Sequence, residues 1–152
     1  MHQINVMARI IFLAGFILFS IFSFAQVREI PESVKETFTS QYPAAENVTY
    51  EDNLVSVQVH FQLNGEKMIA AYNNKGRWKD TEKDWSFEQL PETVKDGFQK
   101  SKYADWKVTE TKIIYRPGGS DRYRVKVEKN DLQKKHIYFN KAGRLVDDDI
   151  TL

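Results

Sequence analysis

Two segments of the chain repeat one another almost residue for residue. Ile30–Phe38 reads IPESVKETF and Leu90–Phe98 reads LPETVKDGF, so five of the nine positions are identical at an offset of 60 residues. A second matching pair follows in the same order, because Tyr72–Arg77 (YNNKGR) parallels Phe139–Arg144 (FNKAGR). The period is longer than that of most solenoid repeats, so the pattern predicts two domain-like units in tandem instead of a stacked array.

Each unit is predicted to open with a helix. Pro31 and Pro91 suit a first helical turn, and the acidic residues Glu32 and Glu92 suit the positive end of the helix dipole. Apolar residues recur at four-residue spacing in both segments, namely Ile30, Val34 and Phe38, and Leu90, Val94 and Phe98. Because so short a helix is marginal alone in water, each is expected to pack on a sheet.

The rest of the first unit has the pattern of strands. Apolar and polar residues alternate over Val55–Leu63, which indicates a strand with one buried face. Asn64-Gly65 predicts a tight hairpin turn into a returning strand at Lys67–Tyr72. Asn47–Glu51 is predicted as the strand before this hairpin, and Arg77–Asp80 as a short fourth strand after it.

The second unit follows the same plan. Its predicted strands are Trp106–Tyr115, Arg122–Glu128, Lys134–Phe139 and Arg144–Ile150. A linker is predicted at Thr81–Gln89, where Trp85 and Phe87 indicate a packed segment. The predicted fold class is therefore α+β, with two tandem repeats at residues 26–85 and 86–152, each a helix followed by a four-stranded antiparallel meander.

The N-terminus has the three parts of a secretory signal peptide. Arg9 supplies a positive charge, Ile10–Phe22 is an uncharged apolar run, and Ser23-Phe24-Ala25 places small residues at the −3 and −1 positions of a cut after Ala25. The apolar run is short for a membrane span, which needs about 20 residues. The prediction is a signal peptide at residues 1–25 and a periplasmic or secreted protein that has no membrane attachment after cleavage.

Charge and cysteine content exclude several kinds of function. The chain has 22 basic and 21 acidic residues, a formal charge of +1, so it has no strong field to attract nucleic acid, and we expect no nucleic-acid partner. It has no cysteine, which excludes disulfides, a thiol nucleophile and cysteine-based zinc sites. The predicted core must therefore hold without covalent cross-links.

The arrangement resembles the PepSY-like, beta-lactamase-inhibitor-protein-like (BLIP-like) domains of secreted bacterial proteins. In the first half the matching positions are Ile30-Pro31, Val34, Phe38, Tyr42-Pro43, Val57–Phe61, Asn64-Gly65 and Asn73–Gly76. In the second half they are Leu90-Pro91, Val94, Phe98, Tyr103, Tyr123–Val127 and Asn140–Gly143. The second half departs by lacking Pro after Tyr103 and by having Asn130-Asp131 in place of Asn-Gly.

That resemblance implies a protein that binds a partner through its sheet and performs no catalysis. In the inhibitor that gives the group its name, two helix-plus-sheet units are joined in tandem and their sheet surface grips an enzyme. The matched positions are turns and core residues, so they specify the fold better than the function. Inhibition of a beta-lactamase does not follow from them.

Few residues have side chains that suggest catalysis or metal binding, and we expect no cofactor. His60 and His136 have no carboxylate at metal-ligand spacing, so they are interpreted as solvated or hydrogen-bonded. Asp147-Asp148-Asp149 lacks the glycine-punctuated loop of an EF-hand and is interpreted as a charged strand end. Pro117–Ser120 precedes a strand instead of a helix, so it is predicted to be a hairpin loop and not a phosphate-binding loop.

The polar side of the long strands is the candidate partner-binding surface. If the two sheets lie edge to edge, polar residues of both units share one face, where aromatic residues could anchor a partner. The candidates are Gln58, His60, Gln62, Trp78, Tyr115, Arg122, Arg124 and Lys126.

The predicted function is an exported, non-enzymatic binding protein for a protein or peptide of the cell envelope. Two alternatives stay open: a small-ligand or ion-binding envelope protein, and a hydrolase whose site the sequence does not reveal. The polar side chains also fit a simpler interpretation, in which they form the solvent-exposed side of an antiparallel sheet and bind nothing.

Overall fold

We describe residues 29–151 in a computed structural model of the protein. Within these residues the fold has two α-helices and eight strands. In chain order they are α1 (Glu32–Gln41), β1 (Glu46–Asp52), β2 (Ser56–Leu63), β3 (Glu66–Asn73), β4 (Trp78–Asp84), α2 (Glu92–Gln99), β5 (Lys107–Tyr115), β6 (Arg122–Asn130), β7 (Gln133–Asn140) and β8 (Leu145–Thr151). Short 3-10 turns at Phe87–Gln89 and Pro117–Gly119 precede α2 and β6.

The eight strands form one antiparallel sheet in the order of the sequence. Every strand pairs with the strand before it and the strand after it, from β1 at one edge to β8 at the other. The central β4–β5 pair is short, with Thr81 opposite Tyr115 and Asp84 opposite Lys112 at the ends of its register. Through that pair, residues of the two predicted units become parts of one continuous sheet.

Both helices begin directly after a proline. The carbonyl oxygen of Pro31 accepts hydrogen bonds from the backbone of Val34 and Lys35, and the carbonyl of Pro91 does the same for Val94 and Lys95. Proline is suited to this position because it lacks an N–H that the helix start could not satisfy. The first helix ends at Gln41, and Tyr42 precedes Pro43, which disfavours a helical residue before it.

Both helices pack on the same face of the sheet, over two apolar clusters. The first cluster contains Val34, Phe38, Val57, Val59, Phe61, Met68, Ala70 and Tyr72. The second contains Leu90, Val94, Phe98, Tyr103, Ile113, Tyr123, Val125, Val127, Ile137 and Phe139. Tyr115 packs against both clusters and so joins them across the β4–β5 pair.

Two turns meet the helices at closely packed glycines. Gly76, in the β3–β4 turn, has φ +75, and a Cβ there would overlap the carbonyl oxygen of Ser33 in α1. Gly143, in the β7–β8 turn, has φ +76, and a Cβ there would overlap the carbonyl oxygen of Thr93 in α2. Only glycine fits these positions without moving a helix.

The α+β class is confirmed, while details of the prediction need correction. The described strands form one eight-stranded antiparallel sheet with two helices, so the two predicted units of a helix and a four-stranded meander are not distinct sheets. Thr81–Asp84, predicted as linker, is the second half of strand β4 and pairs with both β3 and β5. The predicted signal peptide, residues 1–25, lies outside the described residues.

Candidate binding face

The side of the sheet opposite the helices is called the open face below, because no element of residues 29–151 packs over it. In β2, Val57, Val59 and Phe61 point to the helices, so the side chains between them point the other way. In β6 the buried residues are Tyr123, Val125 and Val127. The structure therefore places six predicted site residues on the open face: Gln58, His60, Gln62, Arg122, Arg124 and Lys126.

Trp78 and Tyr115, the two aromatic candidates, lie on the other side of the sheet. The indole Nε1 of Trp78 donates a hydrogen bond of 2.9 Å to the Thr81 hydroxyl, and that hydroxyl shares a 2.7 Å hydrogen bond with the Tyr42 hydroxyl. Both aromatic side chains pack against the first apolar cluster. Their expected position on the shared face is thus wrong, because strand alternation and the register shift between Ala71 and Tyr72 turn them toward the helices.

Arg124 lies at the centre of an ion-pair network on the open face. Its guanidinium donates from Nη1 to Oε1 of Glu82 at 3.0 Å and from Nη2 to Oε2 of Glu82 at 3.2 Å, and Nη2 also donates to Oε1 of Glu110 at 3.2 Å. The ammonium of Lys112 lies 3.5 Å from carboxylate oxygens of both Glu82 and Asp84. This network connects β4, β5 and β6, so it joins the two halves of the sheet.

The network is half-buried, although it lies on the side away from the helices. The Arg124 side chain is 15% exposed and the Lys112 side chain 17%. Ile114, which also faces this side, is only 7% exposed. Bidentate guanidinium–carboxylate pairs of this kind are geometrically specific and strong, and their partners hold one another in fixed conformations. The open face therefore has a preformed charged surface at its centre.

A shallow depression of about 280 Å³ lies beside this network in the first half of the face. His60, Ile69 and Lys112 contribute to its lining. The Nε2 atom of His60 lies 3.2 Å from Oε2 of Glu51, a carboxylate on the neighbouring strand. Polar and apolar residues thus both line the depression, a mixture that contact sites for other molecules also have.

Burial shifts the pKa of other groups on this face. The pKa of His136 is lowered, first by burial and then by the positive charge of Arg124, so the imidazole is neutral at pH 7. The pKa of the Asp80 carboxyl is raised by burial and by the negative charge of Glu82. Burial also raises the pKa of the Tyr138 hydroxyl.

The three consecutive aspartates near the C-terminus do not converge on one point. Asp148 turns to the helix side, where its carboxylate accepts hydrogen bonds from the Tyr103 hydroxyl at 2.8 Å and from Lys135 at 2.9 Å. Asp147 and Asp149 lie on the open face, opposite Tyr138 and His136 in the register of β7 and β8. Within residues 29–151 no group of three or more His, Cys, Asp or Glu side chains is arranged to hold a metal ion.

Sequence analysis missed the other charged residues of the Arg124 network. Glu82 and Asp84 lay in the predicted linker, and Glu110 and Lys112 lay in a predicted strand whose pairing with β4 was not predicted. The one available signal was the alternation of Glu110 and Lys112 with Thr111 and Ile113, which places both charged residues on one side of β5.

Comparison with known proteins gives one family and several related structures. Residues 55–147 match the protein family described as "Putative beta-lactamase-inhibitor-like, PepSY-like". No curated protein matches the chain. In the described part of the chain, none of the helices has the length and apolar character that crossing a membrane requires.

Solved structures share the fold at low sequence identity. A DUF2874 family protein from Bacteroides ovatus is 26% identical, with a TM-score of 0.74 over 81% of this chain and 89% of that one. A BLIP-like protein from Bacteroides fragilis is 23% identical, with a TM-score of 0.74 over 83% of this chain and 89% of that one. A candidate periplasmic protein from Bacteroides eggerthii is 21% identical, with a TM-score of 0.71 over 81% and 90%.

Proposed function

Because the chain belongs to the PepSY-like, beta-lactamase-inhibitor-like family, we propose that it is a non-enzymatic binding protein that holds a protein or peptide partner on its open face. The observation that carries the proposal is the one-sided placement of the helices. Both apolar clusters lie beneath the helices, and the opposite side of eight paired strands is left with a dense set of polar and charged side chains.

The ion-pair network supports this proposal because it fixes the charged side chains before a partner arrives. Arg124 is held by Glu82 and Glu110, so little side-chain entropy is lost when a partner contacts this region. His60 and Ile69, which line the neighbouring depression, offer polar and apolar contacts for a side chain of the partner. A preorganised surface of this kind suits the binding of a partner and does not require a catalytic group.

We propose further that the protein is exported and acts in the periplasm or outside the cell. The support is the signal-peptide pattern of residues 1–25 and the description of one related structure as a candidate periplasmic protein. N-terminal sequencing of the protein purified from the periplasm is expected to begin at Gln26. A protein that retains Met1 and stays in the membrane fraction would contradict export by cleavage.

We also propose that the two halves of the fold are copies of one ancestral module of a helix and four strands. Equivalent local contacts support this proposal, because Gly76 meets α1 at Ser33 and Gly143 meets α2 at Thr93. The Oδ1 atoms of Asn73 and Asn140 each accept two backbone hydrogen bonds in the turns that contain these glycines. Superposition of the halves in an experimental structure tests the proposal, and failure of the strands to align would contradict it.

Photo-crosslinking in living cells tests the binding function. A photoreactive amino acid at Gln62 or Lys126 places the probe on the open face, and one at Glu36 or Gln99 places it on exposed positions of the helices. We expect a discrete cross-linked partner, identified by mass spectrometry, from the open-face positions only. Cross-linking from the helix positions alone would contradict the proposed face.

Affinity measurements with the identified partner then test the same face. The double variant Gln58→Glu/Gln62→Glu adds two negative charges to the open face, and Thr39→Glu/Gln99→Glu adds the same charge to the helices. We expect about tenfold weaker binding from the first variant and little change from the second, because charge changes at an interface alter affinity directly. Equal binding by both variants would remove these residues from the site.

A further inference from the structure

A second feature lies at one corner of the open face, where the β5–β6 loop meets the β7–β8 turn. These two segments line a cavity of about 460 Å³ that is open to solvent. Three basic side chains contribute to its lining, those of Arg116, Arg122 and Lys141. We call these three residues the basic corner.

The arginines of the basic corner have no carboxylate oxygen within ion-pair distance, unlike most other half-buried cations, although the charge of Arg116 acts at longer range on Asp80, where it opposes the rise in pKa that burial causes. Among residues 29–151, the half-buried lysines and arginines with a carboxylate within 4.0 Å are Lys83, Lys95, Lys112, Arg124, Lys134 and Lys135. Within the same range, three half-buried cations have no carboxylate within 4.0 Å, namely Arg116, Arg122 and Lys126. Two of these three side chains therefore line a single cavity.

Two side-chain oxygen atoms beside the arginines already accept hydrogen bonds from backbone N–H groups. The Oδ1 atom of Asp121 accepts a hydrogen bond from the Arg116 backbone N–H at 3.1 Å. The Oδ1 atom of Asn140 accepts from the backbone N–H groups of Ala142 and Arg144 at 3.1 and 3.0 Å. Half-burying a guanidinium has a cost in free energy that a negatively charged partner normally offsets. The lining thus carries three basic side chains against the single carboxylate of Asp121, a positive excess that suits an anion.

The apolar part of the lining favours an organic carboxylate over an inorganic anion. A guanidinium presents a planar fork of donors that matches carboxylate and phosphate oxygens alike, so the fork alone does not distinguish the two. Ala142 and Val146 add apolar surface to the cavity, which suits the carbon skeleton of a peptide. The loop leaves space as well, because nothing lies within 4 Å of a Cβ built at Gly118 or Gly119.

We propose that the basic corner binds a carboxylate of the partner peptide or protein, with Arg116 and Arg122 as its ligands. Arg122 belongs to the open face through its place on β6, so the corner extends that face at one end. This inference deepens the proposed function and rests on it. Lys141, on the exposed turn, adds positive charge at the rim of the cavity.

Titration of the chain from Gln26 onward with model peptides, followed by NMR of the backbone amides, tests the assignment. The probes are N-acetyl-Gly-Ala-Ala as the free acid, its C-terminal amide, N-acetyl-Ala-Glu-Ala amide, and inorganic phosphate. We expect the free acid or the glutamate peptide to shift the amides of Ser120 and Ala142 in a saturable way, and the uncharged amide to leave them unshifted. Which of the two acids binds more tightly identifies a C-terminal or a side-chain carboxylate as the source.

Two charge-matched variants complete the test. Arg116→Gln/Arg122→Gln is expected to weaken carboxylate binding by about tenfold or more, since a bidentate charged pair is lost. Arg77→Gln/Arg144→Gln removes two exposed arginines at the same end of the sheet that do not line the cavity, and it is expected to bind as the unaltered chain does. Circular dichroism checks that both variants are folded.

Several results would overturn the inference. They are an equal response to the uncharged amide, no response to either acid, a response to phosphate alone, and unchanged carboxylate binding by Arg116→Gln/Arg122→Gln. If the peptides fail but the cross-linked partner still binds the open face, the carboxylate site is wrong and the proposed function stands. If peptides bind at the corner but no partner cross-links to the open face, the proposed function fails instead.

Discussion

At Gly143 the backbone of the β7–β8 turn lies against the carbonyl of Thr93, so the missing side chain is a packing requirement as well as a conformational one. Gly143→Ala is expected to lower the free energy of unfolding by about 3 kcal/mol, the sum of a left-handed φ and an overlap with α2. Gly65→Ala is the control, because Gly65 has φ +80 but nothing within 4 Å of the added Cβ. It is expected to cost only about 1 kcal/mol. Urea denaturation measures the free energy of unfolding of both variants. Equal decreases would show that the contact with α2 does not contribute to the effect of Gly143→Ala.

Asp148 connects stability to pH. Hydrogen bonds from Lys135, Tyr103 and Lys102 hold the pKa of its carboxyl well below the ordinary value of 3.8. A carboxyl whose pKa is lower in the folded state stabilises the fold above its unfolded pKa, and that contribution is lost as the pH falls through and below 3.8.

The corresponding prediction concerns Asp148→Asn. We expect this variant to be less stable than the unaltered protein by about 1 kcal/mol at pH 7, and the difference to shrink steadily below about pH 4. Asp147→Asn, which changes an exposed neighbour, is expected to have little effect at either pH. Thermal denaturation over pH 2 to 7 measures this, and a difference that does not depend on pH would contradict the role of the charge.

The two misplaced aromatic candidates show what residue-level prediction could reach. Alternation placed Gln58 and Arg124 on the polar side correctly, because each lies inside a long regular strand. Trp78 was chosen for its frequency at interfaces and not for its strand position, and it follows a turn and a register shift that only the folded pairing reveals. Its indole bonds to the nearby Thr81 hydroxyl, and that hydroxyl is fixed in turn by Tyr42, which is distant in sequence.

Among the strands, β4 was the hardest to predict. Its second half, Thr81–Asp84, carries three charged residues, which is typical of a loop, yet it lies in the middle of the sheet. These charges are tolerated because Glu82 is paired with Arg124 and Lys112 on the open face, and Lys83 is paired with Glu66. Because the partners are 17 to 42 positions away in sequence, local patterns could not reveal them.

Because the β4–β5 pair is short, the ion pairs of Glu82 with Lys112 and Arg124 help to hold the two halves of the sheet together. Glu82→Gln removes the charge that holds Arg124 and Lys112, and we expect a loss of about 2 kcal/mol in the free energy of unfolding. Hydrogen exchange of the backbone amides in β4 and β5 is expected to accelerate more than exchange in β2.

Glu51→Gln is the matched control for that experiment. Glu51 is an exposed carboxylate whose partner, His60, is also exposed, so this change is expected to alter stability by less than about 0.5 kcal/mol. If the two substitutions have the same small effect, the network contributes nothing to the join between β4 and β5.

For the molecule as a whole, the two apolar clusters are joined by Tyr115 and by the continuous sheet. We therefore expect cooperative unfolding, with the slowest amides of β2 and β6 reporting opening free energies within about 1 kcal/mol of each other. Hydrogen exchange with mass spectrometry measures this. Early loss of protection in only one half would mean that the halves unfold independently.

Prediction from sequence succeeded at this scale where the signal was local or repeated. Both helices lie where Pro31 and Pro91 predicted them, and the hairpin at Asn64-Gly65 is present. The edge-to-edge joining of the two sheets could be stated only as a condition, because four register pairs between Thr81–Asp84 and Lys112–Tyr115 decide it and those strands are separated by α2. The α+β class followed from patterns, while the joining of the sheets followed from one long-range pairing.

The strand order has a consequence for how the molecule can be assembled. Each strand hydrogen-bonds only to its predecessor and its successor, so most contacts can close as soon as the next stretch of polypeptide is released. A chain that emerges from a narrow channel with its N-terminus first can add strands in turn, without holding an unpaired one for a distant partner. Vectorial folding of this kind keeps β-structure from being exposed to aggregation on the way to its destination.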